Sequence, residues 1–350
     1  MQNTQKHSFW LIVLGFSLVG LFLWSITVGA VEITVIETLQ IIAQKAGISE
    51  FEELSKTKIL VLWNIRLPRL LLAIVVGAGL GLSGASLQGL FRNPLVEPGI
   101  IGVSSGAVLG AVLVIIFLST WMPELVEKFG FWLTPLFAFV GGSLTTFITL
   151  RLSVYEGKTQ ITYLILAGVA INALAGAVIG LAIFYADDMQ LRSYTFWTLG
   201  DLSVATWDKL YLLIPLVGIA IVPLITSGRL LNAMALGESE AYHSGVSVER
   251  VKIRIIFCSA LAVGVSVALT GIIGFVGLVV PHIARIARSA DHRWVLPASA
   301  LGGALLLMAA DLLARTVVAP AELPVGVVTA MVGAPFFLYL LILTKKKGMI

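Results

Sequence analysis

One cysteine, Cys258, stands in 350 residues. A lone thiol cannot close an intrachain disulfide, and it removes any cysteine-rich metal site. Charge is also sparse. Asp, Glu, Lys and Arg make up 12% of the chain, against about a quarter in an ordinary soluble domain. The formal charge of +4 is too small and too scattered for a nucleic-acid surface. Catalytic sets are missing too. Gly157-Lys158-Thr159 resembles the tail of a phosphate loop, but Leu152 occupies the place of its leading glycine and no strand is expected before it. That argues against ATP binding by this chain. Finally, no carboxylate falls clearly mid-span. Glu97 adjoins a break and Asp311 lies near the outer end of an apolar run. This argues against the competing class, an ion-coupled secondary transporter, which needs a buried titrating group.

Apolar length is what the chain has in excess: 58% of residues are hydrophobic. Runs long enough to cross roughly 30 Å of hydrocarbon recur along it. They predict an all-α integral membrane protein of about ten transmembrane helices, forming one domain over residues 1–350. The spans fall near 9–28, 62–86, 97–118, 132–151, 162–185, 210–227, 255–275, 276–288, 295–313 and 325–344. The first run carries Trp10 and Trp24 near its ends, as interface anchors do, and is read as a retained span rather than a cleaved signal. Between it and the second span, Val35, Ile36, Leu39, Ile42 and Ala43 recur at helical spacing, which predicts an amphipathic helix on the membrane surface. Segments 121–128, 151–158 and 291–293 are read as loops.

The stretch 66–107 organises the rest. Gly77, Gly81 and Gly84 share one helical face, and small faces let helices approach closely in lipid. Arg92-Asn93-Pro94 then breaks the run. The offsets of Gly77, Gly81, Gly84 and Pro94 recur at Gly264, Ala268, Gly271 and Pro281, which suggests an inverted internal repeat of the transporter type. Ten spans put both termini on one side. Most of the 23 basic residues, including Arg229, Arg250, Arg254 and Lys345–Lys347, then share that side, which the positive-inside rule makes cytoplasmic.

The longest charged stretch, 229–254, lies on the same side. Leu236-Gly237 can end one short helix there, and Glu238-Ser239-Glu240-Ala241 can start another, with its acids favouring the helix N-terminus. Such a loop suits docking a soluble subunit; an ordinary solvated loop reads equally well from the residues alone.

At these residues the chain resembles a known family, the iron-chelate, heme and vitamin B12 permeases of bacterial ABC importers, over about 66–341. The resemblance rests on RLPR at 66–69, SGASLQGLFRNPLVEPGIIGVSSGA at 83–107, ALGESEA at 235–241, GFVGLVVPHIAR at 274–285, DHR at 291–293 and ELPVGVVTAMVGAPFF at 322–337. It implies a type II importer permease in the bacterial inner membrane that is not itself an enzyme. It also implies a homodimer, two cytoplasmic ATPase subunits and an extracytoplasmic substrate-binding protein. The energy source is then ATP with Mg on the ATPase, and no cofactor or metal is expected on this chain.

Residue by residue, the resemblance makes Leu236–Ala241 part of the coupling helix. It gives Arg66, Arg69 and Arg315 to docking of the binding protein, although Arg315 can also pair locally with Asp311 at i,i+4. Asn93 and Leu95 match a cytoplasmic gate, with Ile161 and Thr162 as its second element. The translocation path is expected along span 5, where Ala167, Ala173 and Gly176 leave width and Asn172 is the one amide. His282, in the shared Pro-His motif, reads as structural rather than as a heme ligand. Local likeness at 187–202, 292–297 and 315–326 favours heme as cargo over a ferric siderophore or cobalamin.

Overall fold

The computed structural model describes residues 2–29, 31–48 and 54–346. The side chains of residues 2–7 and of Lys345–Lys347 lie outside that description, so these basic residues are not located by it. Among the described residues, eight helices are long and apolar enough to cross a membrane and two shorter apolar helices accompany them. The ten are α1 (Gln2–Thr27), α3 (Lys56–Phe91), α4 (Val103–Trp121), α5 (Pro123–Leu152), α6 (Ile161–Phe184), α8 (Trp207–Thr226), α11 (Val248–Thr270), α12 (Val276–Ala287), α13 (His292–Thr316) and α14 (Val325–Lys346). Short helices α2 (Val35–Lys45), α7 (Asp188–Thr198), α9 (Gly228–Leu236) and α10 (Glu238–His243) complete the set.

α3 forms the centre of the bundle, because its glycines let backbones touch. A Cβ on Gly77 would stand 2.3 Å from the Gly303 carbonyl oxygen, one on Gly81 2.2 Å from that of Ser299, and one on Gly84 1.9 Å from that of Gly277. The glycine face thus seats α3 against α13 and α12. α11 and α8 pack on its other sides. A π-helical turn at Val61–Arg66 precedes this face, and Arg92 in the left-handed region (φ 51°) ends the helix.

The expected helix between the first two spans is present as α2. A capping box between Thr34 and Glu37 starts it, while Ile36 and Leu39 are exposed and Ile41 is buried. An apolar stripe turned outward on a short helix suits the membrane interface.

Four local readings are corrected. Segment 121–128 is not a loop: the chain breaks only at Met122, and Pro123 starts α5 at N1, where a missing N–H costs nothing. Segment 151–158 contains a hairpin, Val154–Tyr155 against Lys158–Thr159, turning through Glu156 and Gly157, both at positive φ, as a tight hairpin turn requires. A two-residue strand therefore does precede Gly157, but it folds back instead of entering a helix. Asp291 of the 291–293 segment is the N-cap of α13, whose helix includes His292 and Arg293. The repeat offsets do not mark equivalent positions. Gly84 is mid-helix while Gly271 ends α11 at φ 72°, and Pro94 lies in a turn while Pro281 is inside α12.

Candidate functional sites at the two ends of the bundle

Polar side chains gather at opposite ends of the helices. At one end, Arg69 donates to Asp311 at 2.7 Å and to Glu322 at 2.7 Å. Arg66 donates to the carbonyls of Ile26 and Val31. Arg315 donates to the Val28 carbonyl at 2.7 Å and to the carbonyl and hydroxyl of Ser25. α1 has no basic residue in its own last turn, so two guanidiniums from elsewhere in the chain satisfy its terminal carbonyls.

Arg66 and Arg69 are only 6% and 7% exposed. Rim charges reaching for a partner would be exposed; here each guanidinium is already engaged within the chain. The local Arg315–Asp311 pair read from the sequence is present, at 3.7 Å. The three arginines, Asp311 and Glu322 border a cavity of about 700 Å³. Asp311 is fully buried but sits in this ion-pair cluster, not alone in mid-span.

The segment after α3 packs on α6. Asn93 and Leu95 are exposed, and the Asn93 side chain accepts from the Leu95 N–H at 2.9 Å. The chain then forms a 3-10 turn, Pro98–Ile101. Asn172 does not stand free in the path. Its amide donates to the Gly99 carbonyl at 3.1 Å and its oxygen accepts from Ser105 at 2.5 Å. Gly168 packs against the Ile100 carbonyl. Ala173 and Gly176 are exposed, Ala167 is half-buried, and nothing lies within 4 Å of a Cβ placed on Gly176. Thr162 is exposed and Ile161 half-buried at the start of α6. Glu97 is exposed and accepts from the Phe275 N–H at 3.4 Å.

At the other end, Gly237 (φ 140°) separates α9 from α10. A side chain there would collide with Glu240, its Cβ standing 1.8 Å from the carboxylate. Leu236 and Tyr242 are 80% and 71% exposed, whereas Ala241 is buried and anchors α10 from below. Ser239 and Glu240 face outward.

α9 is fixed to the start of α13. Asn232 donates to Asp291 at 2.6 Å and accepts from the His292 N–H at 2.9 Å. Arg293 hydrogen bonds, then Asn232, hold the Asp291 carboxyl far below the usual carboxylate range. His292, packed on Gly89 of α3, was read only as part of a motif. Nothing in its spacing announces this clamp. His282 is half-buried within α12. Among the described residues, no three His, Cys, Asp or Glu side chains group as metal ligands.

The bundle thus carries an engaged arginine cluster at one end, a glycine-packed central helix and a short exposed helix at the other end. The model of the FecCD transport family matches residues 17–343. The chain belongs to that family.

Its relatives agree. It is 45% identical over 284 residues to the hemin transport system permease protein HmuU of Yersinia pestis, covering 81% of this chain and 84% of that one. It is 41% identical over 307 residues to the vitamin B12 import system permease protein BtuC of Vibrio cholerae, covering 87% and 89%. A solved structure of an inward-facing metal-chelate type ABC transporter superposes with a TM-score of 0.80 at 32% identity, covering 93% of this chain and 96% of that one. This FecCD protein is therefore the membrane-spanning permease of an ABC importer, a transport component and not an enzyme. The family implies an ATPase and a substrate-binding partner, and a multi-pass location in the bacterial inner membrane.

Proposed function

We propose that this FecCD permease imports heme. The observation that carries the reading is its 45% identity to a hemin permease across four-fifths of the chain. The vitamin B12 relatives, at 41%, support cobalamin as the second reading, and a ferric siderophore fits the same wide path.

Two copies pair so that the small, exposed face of α6, with Ala173 and Gly176, borders a common path. Small apolar walls suit a large cargo that must not be held tightly, and specificity is set upstream in the binding protein. Asn93, Leu95, Ile161 and Thr162 border the cytoplasmic gate. Both termini are cytoplasmic, which puts α10 inside and the arginine cavity outside. The binding protein's carboxylates then compete with Glu322 and Asp311 for Arg69 and Arg315, and with the Ile26 and Val31 carbonyls for Arg66. Two ATPases, carrying ATP and Mg, each receive the exposed Leu236 and Tyr242 surface of one α9–α10 turn.

Single cysteines in a Cys258→Ser background test this arrangement. Ser119→Cys labels from outside intact cells and Ser244→Cys only after permeabilisation. Leu236→Asp releases the ATPase from the purified complex. Labelling of Ser244→Cys from outside, or an ATPase retained by Leu236→Asp, contradicts it.

A further inference from the structure

Beneath α10 lies a four-residue joint in which Glu238 belongs to the ALGESEA motif, while Lys252, Thr159 and Glu249 lie outside the family motifs. Lys252 of α11 is 3% exposed. Its ammonium donates to Glu238 of α10 at 2.7 Å and to the Thr159 carbonyl at 2.7 Å. From the next turn of the same helix face, Glu249 accepts from the Thr159 N–H at 3.1 and 3.0 Å and from the Thr159 hydroxyl. Thr159 ends the hairpin, and Gln160 is the N-cap of α6 without a side-chain cap of its own. Both polar groups of the Thr159 backbone are thus held by α11, and the same lysine holds α10.

The chain from Thr159 to Ile161 is two peptide bonds long, so a movement of Thr159 cannot be absorbed before it reaches α6. The hairpin leaves no slack on the other side. The Gln160 N–H donates to the Ser153 carbonyl at 3.0 Å, and Ser153 is fully buried. Charge-assisted hydrogen bonds of this kind are shorter and stronger than neutral ones, and an ammonium that loses its protein partners while still buried is left uncompensated at a large cost. The joint therefore moves as a unit or breaks.

We infer that Lys252, with Glu238, Thr159 and Glu249, transmits movement of the α9–α10 turn to α6, and that these are positioning residues for the gate. The inference rests on the reading of α10 as the ATPase-docking helix. It adds the route by which a nucleotide-driven shift of α10 reaches Ile161 and Thr162, through side chains separated by up to 93 residues in sequence.

The test uses the permease assembled with its ATPase, with Thr162→Cys as reporter in the Cys258→Ser background. The thiol labelling rate is measured without nucleotide and with ATP plus vanadate. The parent should change its labelling rate about tenfold between the two states, within the usual range of coupling between sites. Lys252→Met and Glu249→Gln should abolish that change while the ATPase remains bound and hydrolyses ATP. The Lys252→Glu, Glu238→Lys double variant should restore part of it. A purely structural role would lower yield or stability without separating hydrolysis from the nucleotide response.

Where Lys252→Met does not fold, Glu249→Gln decides. A full nucleotide response in the variants that assemble overturns the joint, as does a parent reporter that ignores nucleotide. Loss of the ATPase from Lys252→Met, with an unchanged response in Glu249→Gln, also overturns it, because the lysine would then only shape the docking face. Failure of the docking reading itself shows separately, as an ATPase that stays on Leu236→Asp.

Discussion

Arg69 and Asp311, 242 residues apart, meet at 2.7 Å with side-chain exposures of 8% and 0%. The pair joins α3 to α13 at the end opposite the coupling turn. Removing one member of a buried pair leaves the other charge uncompensated, a loss of roughly 3–5 kcal/mol. Asp311→Ala should therefore lower the thermal midpoint of the purified permease strongly. Asp311→Leu combined with Arg69→Met should recover much of the loss. A small effect of Asp311→Ala would mean that water reaches the pair.

Docking can be tested by subtraction. Glu322 is exposed, and its Arg69 contact is a solvent-facing arm of the cluster. Glu322→Gln should free the Nη1 arm of Arg69, which stays paired to Asp311 through Nε, and tighten association with the binding protein by about 1 kcal/mol at low salt, roughly fivefold. High salt should erase the gain. Arg66→Glu and Arg315→Glu should weaken association most at low salt. They should also destabilise α1, whose terminal carbonyls they satisfy. Cargo binding to the isolated binding protein is the control and cannot change. Equal association of all variants at low salt would make the cluster purely structural.

Close packing separates two glycines. A Cβ at Gly84 would overlap the Gly277 carbonyl at 1.9 Å, whereas Gly176 has nothing within 4 Å. Gly84→Ala should destabilise by about 1–3 kcal/mol, as overpacking does, and reduce membrane yield. Gly176→Ala should leave yield and thermal midpoint unchanged. Equal yields would place the α3–α12 contact elsewhere.

Asp291 supplies an acid-sensitive element. Arg293 and Asn232 hold its folded-state pKa below the ordinary carboxylate value of about 3.9. A depressed value in the folded state contributes stability that is present above the unfolded value and lost as pH falls below it. Stability should therefore drop below about pH 4, and Asp291→Asn should flatten that part of the curve while lowering stability at neutral pH. Parallel curves for the two proteins would show that the cap carries no linked proton.

Much of the architecture was readable because the membrane restricts the choices. A span needs continuous apolar length, and the ten helices fall where those runs lie. The glycine face of α3 was legible from its i, i+4, i+7 spacing. The short eighth span, α12, was legible from its apolar run.

Other features depend on contacts that no local pattern encodes. Arg66, Arg69 and Arg315 gather at one end of the bundle, and most of their partners, in α1, α13 and Glu322, are far away in sequence. Asn172 looked like a path-lining amide because its run is otherwise apolar; the carbonyl it serves belongs to the turn after the α3 break. Lys252 read as one more cytoplasmic charge, since its burial depends on a hairpin that folds back to meet it. Met122 and Pro123 hid a one-residue break because a polar composition over 121–128 is compatible with both helix and loop.

The most direct measurement is heme accumulation in proteoliposomes that contain this permease with its ATPase and binding protein. The account expects heme to enter only when ATP and the binding protein are both present. His282→Ala should retain most of that uptake, and Ala173→Trp should block it while leaving the complex assembled. Uptake driven by an ion gradient without the ATPase would contradict the account, as would ATP hydrolysis with no accumulation of heme. Robust ATP-dependent entry of cobalamin or a ferric siderophore instead would overturn the cargo and leave the importer standing.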